Sequence, residues 1–138
     1  MQFRNSKNMF WRHWLAAPVI WAPFPFVLIL DLMMEIYHQV GFGLCKLERV
    51  DRSQYIQIRD RGKLQYLSPL EKIGCMYCGY INGVMLYWGE ICQRTEAYWC
   101  GIMHEGKPGF ETQKHQIKGH FAKFNDREDT NNKYREFF

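Results

Sequence analysis

The stretch CMYCGYINGVMLYWGEICQRTEAYWCGIMH, Cys75 to His104, decides how this chain is read. It opens with a C-x-x-C-G turn, Cys75, Cys78 and Gly79, and closes with C-x-x-x-H, Cys100 and His104. Thiolates and imidazole are the ligands of tetrahedral zinc or iron sites, and two residues between the first pair is metal-knuckle spacing. A glycine straight after the second cysteine lets the backbone take φ > 0 and turn N–H groups toward sulfur. Cys75, Cys78, Cys100 and His104 are therefore the candidate metal ligands, with zinc the expected metal and iron the alternative.

The same stretch carries a competing pattern. Val84, Trp88, Ile91, Cys92, Thr95, Tyr98 and Trp99 recur at helical spacing, opposite Glu90, Gln93, Arg94 and Glu96. An amphipathic helix from about Asn82 to Trp99 follows. If it ran unbroken from Cys78 to Cys100, a rise of 1.5 Å per residue would separate them by roughly 33 Å. Ligands of one metal need donor atoms only about 4 Å apart. A shared site therefore demands a chain reversal between Gly79 and Gly89. Asn82-Gly83 tolerates φ > 0, but reach alone requires a break close to Gly89.

Working outward, 138 residues make one domain, or one small domain plus a membrane anchor. A net charge of +4 is mild and spread along the chain, which argues against a nucleic-acid partner. Aromatic residues make up 17%, including five tryptophans, a density suited to a membrane interface or a tight small core. Five cysteines cannot close into disulfides without leaving one over, so metal ligation under reducing conditions is the better reading. A further alternative treats them as small buried hydrophobes.

The N-terminal residues carry Arg4, Lys7 and Arg12, and Trp14 to Leu30 follows without a charge. No A-x-A-like cleavage site comes after the run, which points to an uncleaved anchor with its N-terminus in the cytoplasm. Pro18, Pro23 and Pro25 remove backbone donors within it, so a kinked span and a re-entrant or interfacial anchor both stay open. A buried core helix is the alternative. Asp31, Glu35 and His38 then fall at i, i+4 and i+7, one face of a helix leaving the membrane. Glu35-x-x-His38 is half of a di-iron carboxylate motif whose second copy is absent.

Gly41 and Gly43 mark a turn into a charged connector, residues 41–67. Alternation around Asp60-Arg61-Gly62 predicts a short β-hairpin, Gln54–Arg59 with Lys63–Leu67. Its basic residues Arg49, Arg52, Arg59, Arg61 and Lys63 suit anionic lipid headgroups or a plain solvated face. Ser68-Pro69-Leu70-Glu71 is a helix start: serine at the N-cap, proline at the first helical position, glutamate in the first turn. The uncharged run from Ile73 to Gly89 also admits a second membrane span, although its glycines and cysteines make a poor lipid-facing helix. Beyond His104 the chain turns polar; His115 and His120 read as surface residues, and the end from Asn125 as a loosely held tail.

The turn Cys75-Met-Tyr-Cys78-Gly79-Tyr80 resembles one knuckle of rubredoxin or a zinc ribbon, with Cys100 and His104 where those proteins carry a second C-x-x-C-G. More broadly, DLxxEIYH (Asp31 to His38), CxYCGYxNG (Cys75 to Gly83) and RTExYWCxxxH (Arg94 to His104) resemble an uncharacterised family of small bacterial membrane-associated proteins. The resemblance covers half the chain and implies a bacterial origin, with no established activity.

The expected architecture is mainly α: an anchor and exit helix over 1–40, the connector 41–67, a Cys/His metal domain 68–105 and a polar tail 106–138. The expected function is that of an accessory or interaction protein at the cytoplasmic face of the inner membrane. Its partners are the bilayer and a protein within it, and its zinc is structural. Four protein ligands leave no open position for substrate, which argues against metal-assisted hydrolysis. The alternatives are a small iron or dithiol redox protein built on Cys75 and Cys78, and a di-iron enzyme around Asp31, Glu35, His38 and Glu90.

Overall fold

A computed structural model describes residues 10–134. The chain divides after Arg49 into two compact units. Helices α1 (Phe10–Trp21) and α2 (Phe24–Leu44) make up the first, followed by a short extended stretch. The second contains a 3-10 turn (Arg52–Gln54), α3 (Arg59–Gly62), α4 (Pro69–Trp99), α5 (Lys114–Lys118) and α6 (Arg127–Tyr134). The mainly helical class is as the sequence implies.

In the first unit, proline sets the boundary between helices. Pro23 and Pro25 lack N–H donors, so helical bonding stops at Ala22, whose N–H still reaches the Pro18 carbonyl at 2.9 Å. It resumes at Val27, whose N–H donates to the Pro23 carbonyl at 3.0 Å. One apolar stretch from Trp11 to Leu44, 34 residues, is long and apolar enough to cross a membrane. Almost all of its side chains face outward, from Trp11 at 77% exposed to Leu15 at 75% and Val19 at 71%. Val27, Asp31, His38 and Phe42 are buried on one face of α2, and Phe24, Met34, Glu35 and Gly41 are half-buried. The His38 and Phe42 rings meet edge to face at 4.9 Å.

The second unit is built on α4, 31 residues and about 46 Å at 1.5 Å per residue. It starts where the sequence indicates. The Ser68 hydroxyl accepts from the Glu71 N–H, and the Glu71 carboxylate accepts from the Ser68 N–H at 3.0 Å, a reciprocal capping box. Proline at the first position needs no donor there. The buried face, Gly83, Val84, Tyr87, Trp88 and Ile91, follows the predicted helical spacing. Tyr55 lies 6.2 Å from the Tyr87 ring, and the Arg52 guanidinium lies over that ring at 5.2 Å. Val50, Phe121 and Ala122 are the other buried apolar residues of this unit.

Three expectations are corrected here. The β-hairpin does not form: Arg52–Gln54 is a 3-10 turn, Arg59–Gly62 a helical turn, and no strand occurs among the described residues. The Asp51 carboxylate takes the Ser53 N–H at 2.9 Å and its hydroxyl at 2.7 Å, which curls the chain just ahead of the first expected strand. Those bonds hold the Asp51 carboxyl below the ordinary carboxylate range.

The reversal between Gly79 and Gly89 does not form either. Asn82 turns its side-chain amide back onto the Cys78 carbonyl at 2.8 Å and stays helical. Gly83 serves close approach: a Cβ there would lie 2.6 Å from the Tyr55 carbonyl oxygen and 2.9 Å from the Ile56 Cα.

The C-terminal end, thirdly, is folded where a loose tail was expected. Gly101 leaves α4 at φ +34°, with the Tyr134 hydroxyl packed where its Cβ would sit. The Gly101 carbonyl accepts from Ala122 N–H, and the Ala122 carbonyl from Met103 N–H, each at 2.8 Å. Lys133 caps the Phe121 carbonyl at 3.2 Å and pairs with Asp129 at 3.1 Å. Packing desolvates the Tyr134 phenol and raises its pKa.

Candidate functional site

The four proposed metal ligands are not brought together. Cys75 and Cys78 lie three residues apart on α4, Cys100 caps its far end, and no break intervenes. Cys100 follows Cys78 by 22 positions, which puts them about 33 Å apart. His104 packs its ring edge-on against Phe110 at 5.5 Å. No group of three His, Cys, Asp or Glu residues arranged to hold a metal occurs among the described residues. The two half-motifs thus satisfy the spacing of a knuckle in sequence and the geometry of a helix in space. The residues do not fit a single zinc or iron centre within one chain. Asp31, Glu35 and His38 on α2 form no metal-holding group of their own among the described residues.

The cysteines are also not core residues. Cys45 and Cys75 are half-buried, and Cys78, Cys92 and Cys100 are exposed. This corrects the buried-hydrophobe reading. Nor does Cys75 begin a helix: it is the seventh residue of α4, beyond the first turn where the helix dipole would stabilise a thiolate.

The structure does assemble a polar cluster at the end of α4 that sequence reasoning missed. Glu96 offers one carboxylate oxygen to His115 Nε2 at 2.6 Å and the other to the Gln116 amide at 2.7 Å. Gln116 is fully buried, and its Oε1 has no hydrogen-bond partner among the described residues. The His115 ring stands edge-on to Phe121 at 5.6 Å. The carboxylate thereby clamps α5 to α4 across nineteen and twenty positions of sequence. No local pattern announces it. Glu96 looks like one more residue of a solvated face, and His115 like one more surface imidazole.

On α2, the polar stripe lands as its spacing implies. Asp31 and His38 are buried, and Glu35 lies 4.0 Å from His38 Nδ1. The Gln39 amide donates to the same Glu35 oxygen at 2.7 Å.

No family model, curated protein or solved structure matches this chain. Function is argued from its own residues.

Proposed function

We propose that the protein is a membrane-anchored accessory protein, held by its first unit and presenting its second to a protein partner. The observation that carries this is the outward-facing apolar surface of α1 and α2. Trp11, Leu15, Val19 and Phe26 are all more than 70% exposed. A soluble monomer does not leave so long a contiguous apolar surface to water. Lipid is the solvent that this surface suits, and α2 alone, at about 31 Å, reaches across a hydrocarbon core of about 30 Å. Arg4, Lys7 and Arg12 before the run favour a cytoplasmic N-terminus at a bacterial inner membrane.

The partner-facing element in this proposal is the open side of α4. Cys75, Cys78, Asn82, Met85, Gly89 and Cys92 recur there at alternating three- and four-residue spacing. A Cβ at Gly89 would meet nothing within 4 Å, so the surface has room for a neighbouring helix. A zinc ion on Cys75 and Cys78, or iron in its place, would need its remaining ligands from outside this chain. The metal would then belong to a complex.

The test is partition. The full-length protein is expected to sediment with membranes through washes in high salt and to be released by detergent, because apolar burial holds it. Protein recovered in the soluble fraction without detergent would overturn the proposal and assign the apolar run to a protein core.

A further inference from the structure

The second unit carries an exposed apolar patch that its own core does not explain. It lies at the corner where α3 turns into α4. Tyr66 is 80% exposed, Leu70 79% and Ile73 53%. Leu70 and Ile73 stand one turn apart on α4, and Met76 continues the same ridge at 37% exposed. α3 packs against α4, with Gly62 set close to the Met76 sulfur, so the corner has a defined shape.

The charge around it is one-sided. From Arg59 to Lys72 the sequence holds four basic and two acidic residues. Arg59 and Lys63 are exposed and Lys72 is half-exposed. Of the two acids, Glu71 has its carboxylate drawn into the helix cap, accepting from the Ser68 N–H and, at 2.7 Å, its hydroxyl. Asp60 is exposed on α3. Met85 and Leu86, also outward on α4, neighbour Asn82 and Glu90 and lack this surround.

We infer that this corner is a docking surface for an anionic lipid bilayer, with Tyr66, Leu70 and Ile73 entering the interface and Arg59, Lys63 and Lys72 meeting the headgroups. Tyrosine seats at the headgroup level with its ring in the apolar zone and its hydroxyl in water. Aliphatic side chains add apolar burial, and basic residues gain from the negative surface potential. The inference rests on the reading of the first unit as an anchor, which keeps the chain at a bilayer. It adds that the second unit binds lipid through a surface of its own.

The experiment uses the full-length chain with an environment-sensitive fluorescent amino acid placed at Tyr66, and separately at the exposed Lys107 as reference. Each protein is reconstituted into phosphatidylcholine vesicles, and into vesicles of which about a third is phosphatidylglycerol. With the anionic vesicles, emission from position 66 should shift to the blue and lose at least about half of its acrylamide quenching, while position 107 stays aqueous. Salt at about 0.5 M, or Lys63→Gln with Lys72→Gln, should reverse much of the shift. An aqueous signal at position 66 in every vesicle, from protein that still floats with lipid, overturns the inference and leaves the anchor standing. Protein that does not float with lipid overturns both. A blue shift that follows protein density and ignores lipid charge assigns the patch to a second copy of the chain, and also overturns it.

Discussion

The two units handle apolar side chains in opposite ways. In the second, Val84, Tyr87 and Ile91 are sealed inside with no exposed surface. In the first, the arrangement is inverted: leucines, valines and tryptophans face out, and the buried face includes Asp31 and His38. A core helix turns its apolar stripe inward because water surrounds it. In α2 the outward side chains are mainly apolar while Asp31 and His38 are covered, a distribution that suits a lipid surround.

The sharpest way to break this contrast is to truncate equivalent side chains in both units. Tyr87→Ala or Ile91→Ala should cost about 2–5 kcal/mol in denaturant titrations, because each opens a cavity in a closed core. Leu32→Ala or Ile36→Ala, at positions 62% and 56% exposed, should shift the same curve in detergent by no more than about 0.5 kcal/mol. Equal costs would mean that α2 is a core helix.

Two glycines of α4 sharpen it further. Gly83→Ala should destabilise the second unit by about 1–3 kcal/mol, since backbone atoms of Tyr55 and Ile56 occupy the space a methyl needs. Gly89→Ala meets open space and should be neutral or stabilising by up to about 1 kcal/mol, seen as a raised melting temperature.

A similar loss, about 1–3 kcal/mol, is expected of Glu96→Ala, which leaves the Gln116 amide buried without its acceptor. Faster amide exchange over residues 114–122 would locate the damage. Unchanged exchange there would show that the clamp does not hold α5.

Smallest is an acid effect confined to the second unit. Asp129 accepts from the Lys123 N–H and from Lys133, and these bonds lower its pKa from the ordinary 3.8. A carboxylate lowered in the folded state contributes stability that is fully present above the ordinary value. That stability is lost as the pH falls through the lower folded value. The protection of the Lys123 amide, relative to its intrinsic exchange rate, should therefore fall in strong acid and stay constant between pH 5 and 8. Asp129→Asn should reproduce the effect at neutral pH with little change in global stability.

Local signals in the sequence mapped well onto the backbone. The Ser68-Pro69-x-Glu71 start, the periodicity from Val84 to Ile91 and the charge-free run after Trp14 each rest on residues adjacent along one element. Long-range packing had no such trace. Gly83 is consistent with a turn until the carbonyl of Tyr55 is seen against it, and Glu96 gives no sign that His115 and Gln116 will fold onto it. The Cys75 to His104 stretch shows how two local rules compete. Ligand spacing and helical spacing were both satisfied, and the reach between Cys78 and Cys100 decided for the helix. The alternation around Asp60 spans too few residues to hold a hairpin, and Arg59–Gly62 closes a helical turn there instead.

The contrast between the units can be read in a single labelling experiment. A lipid-soluble carbene precursor, photolysed with the full-length protein in native membranes and mapped by peptide mass spectrometry, marks side chains that touch hydrocarbon. Adducts should concentrate on residues 11–44, at outward positions such as Leu15, Val19, Phe26 and Leu32. The α4 core from Val84 to Ile91 should carry none. Adducts absent from residues 11–44, or no denser there than on the outward residues of α4 beyond Asn82, would contradict the assignment of the first unit to the bilayer.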